Sequence, residues 1–123
     1  MLNELKNNGI RLYTATSKPK EAAIPLLARL GIAELFDYIG AASTDASIDT
    51  KTAVIYSVLQ QTPLSKDALL MVGDRKEDFI GAKDCGLDAV GVLYGYGLKQ
   101  ELEQFNPIYL ASTCDDFLQW FLK

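Results

Sequence analysis

The sequence contains no histidine, two cysteines, one tryptophan and no long apolar run. The absence of histidine excludes catalytic triads that use it, histidine-ligated zinc sites and histidine acid–base chemistry. Cys85 and Cys114 stand in no metal-binding spacing, and a disulfide framework is not expected. The longest apolar runs, residues 68–73 and 89–94, are far shorter than the ~18 residues of a membrane span. Any chemistry must therefore use carboxylates, hydroxyls, lysine, backbone amides or a hard metal ion.

Positive charge is also scarce, since 12 Lys and Arg face 16 Asp and Glu, for a net charge of −4. Nucleic-acid binding depends on clustered basic residues, so we expect no nucleic-acid partner. The short apolar runs likewise predict that the chain does not associate with a membrane. A length of 123 residues predicts one domain, residues 1–123. Residues 1–9 lack the layout of a signal peptide, so we expect a cytoplasmic protein.

The sequence alternates between helical patterns and short β-rich runs, with a glycine at three of the junctions. Gly9, Gly31 and Gly86 each follow a helical stretch, where glycine closes the last turn in a left-handed conformation. This alternation predicts an α/β fold, doubly wound, with a mostly parallel, Rossmann-like sheet. The predicted strands are residues 10–15, 38–41, 69–72, 89–94 and 108–111; the predicted helices are residues 2–8, 20–30, 50–61, 77–85, 98–105 and 115–122.

Open α/β sheets bind ligands at the carboxyl ends of their strands. After the run at residues 69–72 comes Gly73, then Asp74 and, four residues on, Asp78. Two carboxylates one helical turn apart suit Mg²⁺, which takes one or two carboxylates with waters and phosphate oxygens. The structural alternative is that Asp74 caps the helix and Asp78 pairs with Arg75.

Three other strand-end residues could contact a phosphate group. Thr16 and Ser17 precede Pro19, which is predicted in the first turn of a helix whose free amides attract anions. Lys51 begins the next helix, where its positive charge faces the positive end of the helix dipole, which is unfavourable. Residues that break such local rules are concentrated at functional sites. Taken singly, Ser17 as a helix cap, Thr16 as a strand residue and Lys51 as a solvated lysine neutralised by Asp49 are simpler interpretations. Residues 94–97, Tyr-Gly-Tyr-Gly, are interpreted as a tight turn.

In combination, Thr-Ser, then Lys, then Gly-Asp-x-x-x-Asp resembles motifs two, three and four of the haloacid dehalogenase-like phosphohydrolases. The segments LYTATSKP (residues 12–19), MVGDRKEDFIGAKDCG (71–86) and GVLYGYG (91–97) are similar to the phosphoglycolate phosphatase-like branch. The resemblance implies that Thr16, Ser17 and Lys51 bind the phosphoryl group, with Thr16 and Lys51 catalytic. It also implies that Asp74 and Asp78 serve a Mg²⁺ cofactor.

The family's first motif, a strand ending in Asp-x-Asp that supplies the nucleophile, has no counterpart in these residues. The resemblance therefore implies that this chain is the C-terminal portion of a longer phosphatase, that Met1 is an internal residue, and that the chain alone is inactive. It also implies an incomplete sheet, in which the strands before Thr16 and Asp74 flank a missing central strand. We expect an unstable chain, or a sheet completed by an N-terminal segment or a second chain.

Two other interpretations stay open at this point. The chain could be a non-catalytic module that binds Mg²⁺ and phosphate, or an interaction module of the same fold. A receiver domain also places Asp, Thr and Lys at strand ends, but its order of motifs differs from this sequence. The expected substrate is a small phosphorylated compound; its identity and the oligomeric state cannot be read from these residues.

Overall fold

The computed structural model describes residues 1–43, 48, 50–93 and 99–122. The chain divides into two compact units, and each is described by itself. The first is Leu2–Pro63, and the second is Leu64–Lys123 with Met1.

The described residues of the first unit form two strands and three α-helices. Gly9 (φ 78°) and Gly31 (φ 73°) follow α1 and α2 in the left-handed conformation that the sequence predicts there. A short 3-10 helix, Ala33–Leu35, precedes the second strand. The elements are α1 (Leu2–Asn7), β1 (Tyr13–Pro19), α2 (Lys20–Arg29), β2 (Tyr38–Ala42) and α3 (Lys51–Gln61).

Strands β1 and β2 pair in parallel, from Tyr13 opposite Tyr38 to Thr16 opposite Ala41. Helices α2 and α3 pack against both strands. Gly40 allows both β1 and α3 to approach β2 closely. A Cβ at this position would lie 2.5 Å from the Thr14 carbonyl oxygen on β1 and would overlap the Val58 side chain on α3. The buried residues of α3 are Val54, Ile55 and Val58.

In the second unit, the residues that the structure describes form three strands and three α-helices. A 3-10 helix, Lys66–Ala68, leads into its first strand. Gly86 (φ 77°) follows α4, as the sequence predicts. The elements are β3 (Leu70–Gly73), α4 (Lys76–Asp84), β4 (Asp88–Val92), α5 (Lys99–Glu103), β5 (Tyr109–Ala111) and α6 (Cys114–Phe121).

These three strands form a parallel sheet in the order β3-β4-β5. Its core is apolar, and Tyr109 and Trp120 stack at its edge with ring centroids 4.7 Å apart. Burial raises the pKa of the Cys85 thiol. The most buried members of the core are Phe79, Ala82, Val90, Leu102, Ala111, Phe117 and Leu118.

The predicted fold class is confirmed: an α/β chain with parallel strands, in two small sheets that match part of a Rossmann-like core. Within the described residues, β1 has one hydrogen-bonded neighbour, β2, and β3 has one, β4. Over the same residues the structure has five strands and six α-helices, as predicted. No helix in the described part of the chain has the length and hydropathy needed to cross a bilayer.

The largest error concerns β1, which was predicted at residues 10–15 and lies at Tyr13–Pro19. Leu12 is apolar, but its N–H donates to the Asp37 carboxylate (2.9 Å) and its carbonyl accepts from the Asp37 N–H (2.7 Å). These two bonds use the backbone N–H and C=O of Leu12, and the pairing with β2 begins at the next residue, Tyr13. Pro19 is consequently the residue before α2 and not part of its first turn.

The apolar pattern of α3 predicts that Tyr56 contributes to its buried face, but Tyr56 is 58% exposed and Ile55 is buried instead. The turn predicted at residues 94–97 lies outside the described residues.

Candidate active site

Thr16 lies near the carboxyl end of β1, within the strand and not after it. It pairs with Ala41, and the next paired residue is Pro19, opposite Ala42. The register of the ladder therefore shifts at Ser17 and Lys18, and this bulge-like irregularity is called the bulge below. Bulges of this kind are common beside active sites. Ser17 is exposed and is not the N-cap of α2, because Pro19 holds that position.

The Thr16 hydroxyl is half-buried and accepts a hydrogen bond from the Lys18 N–H (3.1 Å). A hydroxyl that accepts still carries its own hydrogen and can donate it. This bond holds the bulge and leaves the Thr16 hydroxyl able to donate to a phosphoryl oxygen.

Lys51 is the first residue of α3, directly after Thr50, whose hydroxyl caps the helix by accepting from the Ala53 N–H (3.1 Å). The Lys51 side chain is half-buried, and its ammonium donates to the Ala15 carbonyl at 2.5 Å. Ala15 precedes Thr16, so the ammonium group lies at the same strand end as the Thr16 hydroxyl. Lys51 is therefore not a fully solvated lysine, and its catalytic role stays a prediction. Asp49, the counter-charge of that interpretation, lies outside the described residues.

In the second unit, Asp74 follows β3 and is half-buried, while Asp78 is only 6% exposed. The Asp78 Oδ2 accepts from the backbone N–H groups of Asp74 (3.0 Å) and Arg75 (3.2 Å). A buried carboxylate requires such partners, because its desolvation is costly without them. Asp78 therefore fixes the turn that carries Asp74.

The structural alternative for this pair needs one correction. Asp74 does not cap the helix, because Arg75 holds the N-cap position of α4. Asp78 does bond to Arg75, by accepting a hydrogen bond from its backbone N–H. Gly73 is required here, because a Cβ would overlap the Asp78 carboxyl group, with its Cγ at 2.6 Å.

The two carboxylates of the second unit are the kind of donor that Mg²⁺ takes. Asp74, half-buried at the strand end, fits a direct ligand. Asp78 already bonds two amides and fits a supporting role better. Across the described residues, no group of three or more Asp, Glu, Cys and His side chains could hold a metal by itself. A metal here would need water or substrate oxygens to complete its shell.

The candidate residues are thus divided between the units. The first unit brings Thr16, Ser17 and Lys51 to the end of β1, and the second brings Asp74 and Asp78 to the end of β3. That all five act at one site stays a prediction.

Sequence reasoning missed Ser43, the residue after β2. Its N–H donates to the Ile48 carbonyl and its hydroxyl accepts from the Ile48 N–H, both at 2.8 Å. A serine directly after a strand and before a polar loop is a recognised site for such side-chain-to-backbone bonds, and that signal was available.

Comparison with known proteins relates the whole chain to one family. Residues 1–92 match the family model described as haloacid dehalogenase-like hydrolase. The chain is 32% identical over 117 residues to the phosphoglycolate phosphatase of Colwellia psychrerythraea, covering 95% of this chain and 52% of that protein. It is 41% identical over 118 residues to the tyrosine-protein kinase PtkA of Mycobacterium tuberculosis, covering 94% of this chain and 40% of that protein.

Among solved structures, a protein described as a predicted phosphatase from Clostridium acetobutylicum superposes with a TM-score of 0.94 at 34% identity. That match covers 98% of this chain and 56% of the other. The chain spans about half the length of the relatives it matches.

Proposed function

This chain belongs to the haloacid dehalogenase-like hydrolase family, and we propose that the whole protein is a Mg²⁺-dependent phosphohydrolase acting on small phosphate monoesters. The observation that carries the proposal is the Lys51 ammonium held 2.5 Å from the Ala15 carbonyl, beside Thr16. A fixed positive charge and a hydroxyl donor at one strand end suit a transferring phosphoryl group, where charge neutralisation and positioning dominate catalysis.

In the proposed reaction, a carboxylate from outside this chain attacks phosphorus, and the bond to the ester oxygen breaks. A second carboxyl group from outside this chain gives its proton to the leaving oxygen, and water then cleaves the aspartyl-phosphate to release phosphate. Thr16, with Ser17 beside it, donates to the phosphoryl oxygens, and Lys51 balances their charge. Asp74 would hold the Mg²⁺, which would supply further charge neutralisation, and Asp78 fixes the Asp74 backbone. The chain alone is expected to be inactive.

The proposal is tested with the whole protein and a panel of small phosphate monoesters that includes phosphoglycolate. Phosphate release is measured with Mg²⁺ and with EDTA, for the parent and for Asp74→Asn. We expect hydrolysis that requires Mg²⁺ and is strongly reduced in the variant. A pure whole protein that hydrolyses none of the panel would contradict the proposal.

We further propose that an N-terminal segment or a second chain completes the sheet, and that the two units belong to one domain. The support is that β1 and β3 each have a single hydrogen-bonded neighbour in the described residues. An open edge presents unpaired N–H and C=O groups that accept a further strand. Hydrogen exchange of β1 and β3 in this chain and in the whole protein tests the idea, since equal protection in both would contradict it. The cytoplasmic location stays a prediction.

A second candidate function is phosphoryl transfer to a protein tyrosine. The observation that favours it is the 41% identity to PtkA, a higher figure than the 32% to the phosphoglycolate phosphatase. Incubating the whole protein with labelled ATP and a tyrosine-containing protein separates the two: a kinase labels the protein, whereas a phosphatase does not. Loss of both activities, with Mg²⁺ and phosphate binding retained, would support the non-catalytic module instead.

A further inference from the structure

Two described residues between β2 and Lys51, Ser43 and Ile48, are hydrogen-bonded to each other. Ser43 directly follows Ala42, the last residue of β2, and forms two hydrogen bonds with Ile48. One runs from the Ser43 N–H to the Ile48 carbonyl, and the other from the Ile48 N–H to the Ser43 hydroxyl, each 2.8 Å long. Both residues are half-buried, so solvent replaces a lost bond poorly.

This pair stands between the sheet and the candidate catalytic lysine. Two residues after Ile48 comes Thr50, which caps α3, and Lys51 follows. At the other end, Ala42 pairs with Pro19 on β1, just beyond the bulge that begins after Thr16. The bonds between Ser43 and Ile48 therefore link the end of β2 to a residue that lies shortly before α3.

We propose that Ser43 is a positioning residue for Lys51, acting through Ile48 and the start of α3. The inference rests on the proposed function, because it concerns the lysine of that site. Without the hydroxyl, the Ile48 N–H loses this acceptor, and the bond from the Ser43 N–H to the Ile48 carbonyl remains. The Lys51 ammonium then samples positions away from the Ala15 carbonyl, and displacements of about 1 Å can cost up to ~100-fold in rate.

The test uses the whole protein with p-nitrophenyl phosphate as the probe. We expect Ser43→Ala to lower kcat/KM about tenfold, mainly through kcat, and Ser43→Thr, which keeps a hydroxyl, to restore most of the loss. Ser57→Ala is the matched control, since the Ser57 hydroxyl donates to Val54 (2.6 Å) within α3, away from the loop. An unchanged rate in Ser43→Ala, or an equal loss in Ser57→Ala, would overturn the inference.

A double-mutant cycle separates positioning from general destabilisation. If Ser43 acts through Lys51, Ser43→Ala has little further effect on kcat/KM once Lys51 is alanine, so the two effects are not additive. The same tenfold loss in both backgrounds would show that Ser43 does not act through Lys51.

A third readout needs no activity. Reductive methylation of the whole protein, followed by mass spectrometry, gives the labelling rate of Lys51 relative to the exposed Lys20. We expect this ratio to rise at least threefold in Ser43→Ala and to stay unchanged in Ser43→Thr and Ser57→Ala. If the whole protein hydrolyses no phosphate ester, the proposed function fails, and this ratio alone decides the role of Ser43.

Discussion

Lys51 and Asp78 are the charged side chains that order the two candidate half-sites, and they are held in opposite ways. In the first unit, the Lys51 ammonium reaches across to the Ala15 carbonyl, 36 residues earlier in the chain. In the second, the Asp78 carboxylate bonds backbone amides three and four residues before it. The candidate phosphate-binding half thus depends on long-range packing, and the candidate metal-binding half on one local turn. Mutations in the two units should therefore have different effects.

The largest expected effect is on catalysis. Lys51→Ala in the whole protein should lower kcat/KM by about 100-fold, or ~3 kcal/mol of transition-state stabilisation, because it removes the positive charge from the end of β1. Steady-state kinetics measure this, with the exposed Lys83→Ala as control. Near-normal kcat/KM in Lys51→Ala would remove Lys51 from the site.

The next largest expected effect is on the free energy of unfolding, at two glycines where other groups pack close to the backbone. Gly40→Ala should destabilise the first unit by about 3 kcal/mol, because its Cβ would meet the Thr14 backbone and Val58. Gly73→Ala should cost about 2 kcal/mol, because the Asp78 side chain moves off its two amides. Urea unfolding monitored by hydrogen exchange in each unit measures both. A larger loss for Gly73→Ala would reverse the contrast between long-range and local packing.

A smaller loss of stability is expected when a side chain that accepts hydrogen bonds from backbone N–H groups at the start of α3 or α4 is removed. Thr50→Ala should cost about 1 kcal/mol, because the Ala53 N–H loses its acceptor, and Thr50→Ser should cost little. Asp78→Ala should cost ~1–3 kcal/mol, because two amides lose a buried carboxylate. Chemical denaturation of the three variants measures how much unfolding free energy each one loses. Equal losses for Thr50→Ala and Asp78→Ala would mean that the carboxylate is no more important than an ordinary cap.

The smallest effect is the response to acid. The Leu12 N–H and the Lys6 ammonium lower the pKa of Asp37 in the first unit, and the Tyr109 hydroxyl and the Ser112 N–H lower that of Asp116 in the second. A lowered folded-state pKa adds stability above the unfolded value of 3.8, and this stability is lost as pH falls through the folded pKa. We expect both units to weaken below about pH 4.

Two variants separate these contributions. Asp37→Asn should flatten the acid response of the first unit only, and Asp116→Asn that of the second only. The measurement is the urea midpoint of each unit, by hydrogen exchange, at pH 6 and pH 3. An unchanged acid response of the first unit in Asp37→Asn would show that the Leu12 and Lys6 contacts add no stability.

Much of the fold could be predicted, because its signals are local. Gly9, Gly31 and Gly86 end helices at the expected positions, since a left-handed turn favours glycine whatever surrounds it. The five parallel strands follow from apolar runs between helices. The start of β1 could not be predicted, because the backbone N–H and C=O of Leu12 both bond to Asp37, 25 residues later in the chain. The apolar pattern also did not show that α3 buries Ile55 and exposes Tyr56.

The sequence by itself determined which residues could form each half-site, and that Asp74 and Asp78 lie within one helical turn of each other. That proximity needs only four residues and a helix start, so local hydrogen bonds suffice. Only the tertiary structure decided that Lys51 is half-buried against Ala15, that Ser17 lies in the bulge, and that Ser43 bonds to Ile48. These features depend on which distant backbone groups pair, and pairing between distant segments is fixed by packing and not by the composition of any one segment.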